Sequence, residues 1–239
     1  MKRCTAALLA LALPLTAGAD DSSTLDRIEV TGSSISYRDL LHTPAIAITK
    51  HGDYLSQGFS LINDSRDAER RKQEIHSTIE KLLARSGKRY SLIFEDGYSI
   101  TLNAQNHRVE LLDDSKRPDV SRVKLRLRLE LPAEAKDGLQ IVADLREFVR
   151  SSVKVGRTEI ELDTETALGM KRPERYRYEL IEAIAEDSQR LRRSMGSGCS
   201  VELEGLNSRI EWERVGPVEL MLYIPYSMTV SGCSEAPTP

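Results

Sequence analysis

Past its first twenty residues the chain has no run approaching eighteen consecutive apolar residues, so nothing there reads as a membrane-crossing helix. Charge of one sign is missing too. Thirty-four Lys and Arg stand against 37 Asp and Glu, a formal net charge of −3. That mildly acidic balance argues against a general nucleic-acid binder, which neutralises phosphates with an excess of basic surface. Cysteine is scarce: Cys4, Cys199 and Cys233 are too few for a four-ligand zinc site. There is no G-x-S-x-G elbow, Walker loop, dinucleotide-type glycine pattern or H-E-x-x-H pair. No catalytic, cofactor-binding or metal residue is therefore assigned.

What the N-terminus does have is an export pattern over residues 1–19. Lys2 and Arg3 are followed by an apolar stretch from Ala6 to Leu15, then by Ala17-Gly18-Ala19, the small-x-small site a signal peptidase accepts. The apolar stretch is too short to span a bilayer. Cys4 precedes it and so cannot be a lipoprotein's lipidated cysteine. Cleavage after residue 19 would leave a chain two charges more negative than the −3 of the full sequence. The expected location is the periplasm, with no transmembrane segment in the mature chain.

In that oxidising compartment Cys199 and Cys233 are expected to form a disulfide, the alternative being two separate thiols. Pairing them across a hairpin centred on Gly216-Pro217 sets Val201 and Leu203 opposite polar Ser231 and Thr229. A bulge or irregular segment must then restore the phase.

Residues 20–43 read as a polar arm with one short strand around Ile28-Glu29-Val30-Thr31. Strands are predicted at 45–49 and 59–62, separated by His51-Gly52-Asp53. Ile75, Ile79, Leu82 and Leu83 then recur at helical spacing within 64–86. Asp64 or Ser65 is the expected cap and Gly87 the stop, with Arg70, Arg71, Lys72, Glu80 and Lys81 on the wet face. Residues 90–103 read as a hairpin around Asp96-Gly97.

Residues 113–119 are a polar break. After it Val123, Leu125, Leu127, Leu129 and Leu131 alternate with Lys124, Arg126, Arg128 and Glu130, a strand with one buried and one wet face. Val142, Leu145, Val149 and Val153 predict a second helix, and 158–163 a further strand. Pro173 opens a third helix on the stripe Tyr176, Leu180, Ile184, Leu191 and Met195, which Gly196 or Gly198 ends. Strands at 201–203, 210–215 and 219–230 complete the chain, with Pro225 marking an edge or bulge in the last. The expected class is α+β: a largely antiparallel sheet with three amphipathic helices on its apolar face.

Three stretches resemble the SIMPL-domain family of exported bacterial envelope proteins. They are Pro44-Ala45-Ile46-Ala47-Ile48-Thr49-Lys50-His51-Gly52, the charged helix over 67–86, and the terminal helix over 174–195 with the segments to 230 that follow it. The resemblance implies a SIMPL-like domain over 44–232, and the composition of 233–239 reads as a polar tail. It also implies a periplasmic or outer-membrane-associated role linked to envelope or oxidative stress, homo-oligomers or an envelope protein partner, and no catalytic residues to carry over. Only Ala183 and Ala185 keep the alanine-rich character of the family's last helix. Upstream, Asp26-Arg27-Ile28-Glu29-Val30-Thr31-Gly32-Ser33-Ser34-Ile35 resembles the segment before the plug of TonB-dependent receptors. That resemblance implies an accessory role in TonB-linked uptake, through residues 20–43. The receptor's own barrel needs hundreds more residues.

Among individual residues, Arg122, Lys124, Arg126 and Arg128 form a basic row on one strand face, a candidate surface for an anionic partner. The competing reading pairs them across strands with Glu159 or Glu161. His76 with Glu80 and Glu74 reads as a solvated helix face, and His42, His51 and His107 carry no motif. Gly196-Ser197-Gly198-Cys199 follows a helix, as a helix stop does and a phosphate cradle does not. Trp212, Tyr223 and Tyr226 are assigned to the core. A non-enzymatic binding or assembly module is the expectation, ahead of the uptake accessory and of an enzyme of unrecognised type.

Overall fold

Strict alternation in Arg117–Glu130 (β7) builds the centre of the molecule: Val123, Leu125 and Leu127 are all but inaccessible, while Lys124 is exposed. The computed structural model describes residues 27–30, 45–114, 117–133, 135–196 and 198–233. The segment 1–19, most of the arm over 20–43, His42 and the tail from 234 onward lie outside them. Strand β7 pairs antiparallel on one side with Tyr54–Asn63 (β3). On the other side it pairs with Tyr90–Asp96 (β4) and with Leu112–Asp114 (β6). Thr158–Lys171 (β8), Arg27–Val30 (β1) and Tyr98–Thr101 (β5) complete a seven-stranded antiparallel sheet in the order β1-β8-β3-β7-β4-β5, with β6 on β7. The fold is α+β.

Helices Ala68–Ser86 (α1) and Gly138–Arg150 (α2) cover the apolar face of this sheet. Ile75, Ile79 and Leu82 of α1 meet Leu55, Phe59 and Leu61 of β3 in one core that also takes Leu145 and Val149 of α2. The third helix, Arg177–Met195 (α3), does not join them on the main sheet as expected. It follows a 3-10 turn over Pro173–Tyr176 and sits beside Ser200–Glu204 (β9) and Ile48–His51 (β2). There Lys50 and Glu179 form an ion pair of 2.7 Å.

Strand β2 belongs to a second sheet, with Glu211–Arg214 (β10) and Glu219–Tyr223 (β11) in the order β10-β11-β2. His51-Gly52-Asp53 is thus a crossing between sheets rather than a hairpin turn. A Cβ on Gly52 would stand 2.4 Å from a Leu168 side-chain carbon, so the crossing needs glycine.

Several expected boundaries move, each for a local reason. Asp67, not Asp64 or Ser65, caps α1 by accepting from the Arg70 N–H at 2.7 Å. Arg71 is buried on the helix stripe, its guanidinium held by Ser121 Oγ and the Ser65 carbonyl. Of the polar break over 113–119, Asp113 and Asp114 belong to β6 and 117–119 to β7. Helix α2 ends at Arg150 and leaves Val153 exposed, and Met195 is likewise exposed at the end of α3.

Strand β8 continues eight residues past Asp163. A bulge between its pairings with Gln57 and Phe59 shifts the register and conceals the alternation. The last strand is split: β11 stops at Tyr223, and Ser227–Ser231 (β12) starts beyond the donorless Pro225 to pair with β9.

Cys199 and Cys233 are bonded, with Cα atoms 4.1 Å apart. The β9–β12 register sets Val201 against Val230 and Leu203 against Met228, one residue out of step with a direct Cys199–Cys233 pairing. Gly232, at φ +68°, is the irregular residue that reconciles the two.

On the open face of the sheet Tyr54 is fully buried opposite Gly169. A Cβ on Gly169 would stand 2.1 Å from the Tyr54 ring. The Gly169→Ala substitution is expected to cost about 2 kcal/mol by overpacking. In a Tyr54→Ala background the same change should be near neutral, read as a double-mutant cycle from denaturation midpoints. Additive effects would disprove the contact.

Candidate functional site

Strand β7 sends Arg122, Lys124, Arg126 and Arg128 to the face that α1 and α2 leave open. The cross-strand partners of these residues on β3 are Ile62, Ser60, Gly58 and Ser56; Ser60 is half-buried and the other three are buried between their larger neighbours. On the other side of β3, β8 places Glu159 beside Ile62 and Glu161 beside Ser60, both exposed. Asp163 lies over Gly58, where a Cβ would come within 2.1 Å of its Oδ2. The face therefore carries a basic stripe on β7 and an acidic stripe on β8, about 10 Å apart across β3.

Each stripe is partly engaged within the chain. Lys124 Nζ is 3.6 Å from Asp163. Arg126 bridges Glu29 of β1 at 2.7 Å and Glu95 of β4 at 2.9 Å. Arg128 stacks on the Tyr54 ring with its guanidinium carbon 4.3 Å from the centroid. Burial, with Glu29 acting in the same direction, raises the Tyr54 hydroxyl's pKa above its ordinary value, so it stays protonated. The carboxylates that reach Arg126 are thus Glu29 and Glu95, while Glu159 and Glu161 stand on β8 as the second stripe.

Strand β1 carries part of the segment that resembles a receptor pre-plug. Ile28 is buried against the core and Glu29 is tied to Arg126, so these residues are held in the sheet rather than presented on an arm. A deletion reaching through residues 27–30 would remove an edge strand.

The His76, Glu80 and Glu74 group separates. His76 Nε2 lies 2.9 Å from the Val109 carbonyl, His107 Nδ1 lies 2.9 Å from the Ala104 carbonyl, and His51 is exposed at the end of β2. Glu74 turns inward. Its carboxylate accepts from Asn63 Nδ2 at 2.8 Å, the Arg157 N–H at 2.9 Å, Arg70 Nε at 2.8 Å and Ser65 Oγ at 3.1 Å. These donors, the Asn63 amide foremost, hold its pKa down to about 2. Beside it Arg157 grips Asp64 through two bonds of 2.6 and 2.7 Å, which lowers the pKa of Asp64. Gly156 is required here, since its φ is +58° and a Cβ would overlap the Glu74 carboxylate. The cluster ties α1 to the ends of β3 and β8. Its donors span 94 positions of the chain, so helical spacing alone could not reveal it.

In the small sheet Tyr223 is buried and donates to Glu211 at 3.1 Å, while Trp212 and Tyr226 are half-buried against the core. Among the described residues no helix is long and apolar enough to cross a membrane. No family model, curated protein or solved structure matches this chain.

Proposed function

We propose that this is an exported protein of the bacterial envelope, of SIMPL type, that works in the periplasm by binding and assembly rather than by catalysis. The export pattern of residues 1–19 and a disulfide pair suited to an oxidising compartment support the location. The working surface in this reading is the open face of the main sheet, and its partner is a second copy of the chain.

The observation that carries it is the pair of parallel stripes of opposite sign. A two-fold axis along β3 lays the basic stripe of one copy on the acidic stripe of the other, with Lys124 meeting Glu161, since both flank Ser60. The face is self-complementary, as a two-fold interface must be. It suits a second copy better than a purely anionic partner, which the acidic stripe would repel.

Light scattering on the oxidised protein tests this. Association should weaken as salt rises from low to physiological ionic strength. Lys124→Glu and Glu161→Lys should each lower the dimer fraction several-fold, and mixing the two variants should restore it as a heterodimer. A strict monomer at high concentration and low salt would refute the reading. So would variants that stay apart when mixed.

A further inference from the structure

The bulge in β8 does more than shift a register. It opens a cleft of about 420 Å³ between α2, β8 and the β10–β11 turn, away from the striped face. That volume lies in the range of small-molecule sites. Two guanidinium groups line it, from Arg146 and Arg214.

Both are held by oxygens of the bulge and the turn. Arg146 Nη1 donates to Gln57 Oε1 at 3.2 Å and to the Thr164 carbonyl at 2.9 Å. Gln57, with no exposed surface, is itself pinned by Thr166 Oγ1 at 2.6 Å and by its own donation to the Asp163 carbonyl at 2.9 Å. Arg214 is buried, and donates to the carbonyls of Thr166, Pro217 and Gly216 at 2.6, 2.7 and 3.1 Å. Among the described residues Arg146 Nε and Nη2 make no hydrogen bond. The remaining walls are apolar: Leu139, 73 % exposed, with Val142 and Pro217. Glu165 stands exposed at the lining, and its charge opposes an incoming anion.

We infer that this cleft binds a small organic carboxylate with a short apolar tail. A guanidinium presents paired N–H donors that match a carboxylate, and anchoring through carbonyls orients them before the ligand arrives. The apolar wall provides for the tail, which a bare inorganic anion lacks. The site is independent of the striped face, so the assembly reading and this one stand or fall separately.

Calorimetric titration of the full oxidised chain with hexanoate, 1-hexanol and inorganic phosphate is the test. Hexanoate should bind saturably, with hexanol and phosphate at least tenfold weaker. Arg146→Gln should weaken hexanoate at least tenfold, and Glu165→Gln should tighten it. Because Arg146 also supports the bulge, Leu139→Asp supplies a variant at an exposed position that leaves the core intact. It too should weaken hexanoate at least tenfold. Hexanoate that fails to saturate by about 10 mM, weaker than any useful affinity for so small a ligand, would overturn the inference. So would phosphate binding as well as hexanoate, or affinity unchanged in Leu139→Asp.

Discussion

Replacing Glu74 by alanine is expected to cost about 3–4 kcal/mol, because it strands buried donors that share one carboxylate. The Asn63 amide, at the end of β3, is buried, and the Arg157 N–H just ahead of β8 is part-buried beside it. The cluster also predicts a pH dependence. Glu74 titrates near 2 in the fold against an ordinary value of 4.5. A carboxylate with a depressed folded-state pKa contributes its stability above the unfolded value and loses it as pH falls through the folded one. Stability should therefore decline from pH 4.5 towards pH 2. Glu74→Gln keeps the shape but removes the titration, so its denaturation midpoint should fall less steeply over the same interval. Equal slopes in the two proteins would show that other carboxylates carry the acid sensitivity.

Loss of the Cys199–Cys233 bond should cost roughly 3–4 kcal/mol, from the chain entropy released when a loop of this size is opened. The bond closes the two-stranded β9–β12 pair, which contributes little core of its own beyond Leu203 and its neighbours. Thermal melts of the protein with and without reductant should differ by several degrees, and the Cys199→Ser, Cys233→Ser double variant should match the reduced form. A reductant-insensitive melt would mean the bond closes a segment that unfolds separately. Gly232 offers a subtler check. Its positive φ absorbs the one-residue mismatch, so Gly232→Val should hinder oxidation more than it disturbs the rest of the fold.

The elements that could be read in advance share one property: their signal is local. The Leu and Arg alternation of β7, the Asp96-Gly97 turn, with Gly97 at φ +68°, and the apolar stripe of α1 each follow from a few neighbouring residues. Even the phase conflict around Cys199 and Cys233 was visible as a need for one irregular residue. The second half of β8 was not, because three of its residues pass one of β3 at the bulge and period two is lost there. Nor was the splitting at Pro225, where two candidate pairings of one apolar run had to be decided by which partner strand was present.

The candidate sites divide the same way. That Arg122, Lys124, Arg126 and Arg128 share a face is dictated by the pleat. What stands opposite them is not: Glu29, Glu95 and Asp163 arrive from three other strands. Gln57 lies outside the strand expected at 59–62, Arg146 carries no motif, and nothing in the order of residues joined them to Arg214.

By itself, then, the sequence determined the α+β class, the three helices and the wet and dry faces of the central strand, all consequences of residue period. Tertiary structure alone decided the division into a main and a smaller sheet, the inward turn of Glu74, the striped open face and the two-arginine cleft. Each of these rests on groups far apart along the chain, and only the register of paired strands brings them within hydrogen-bonding distance.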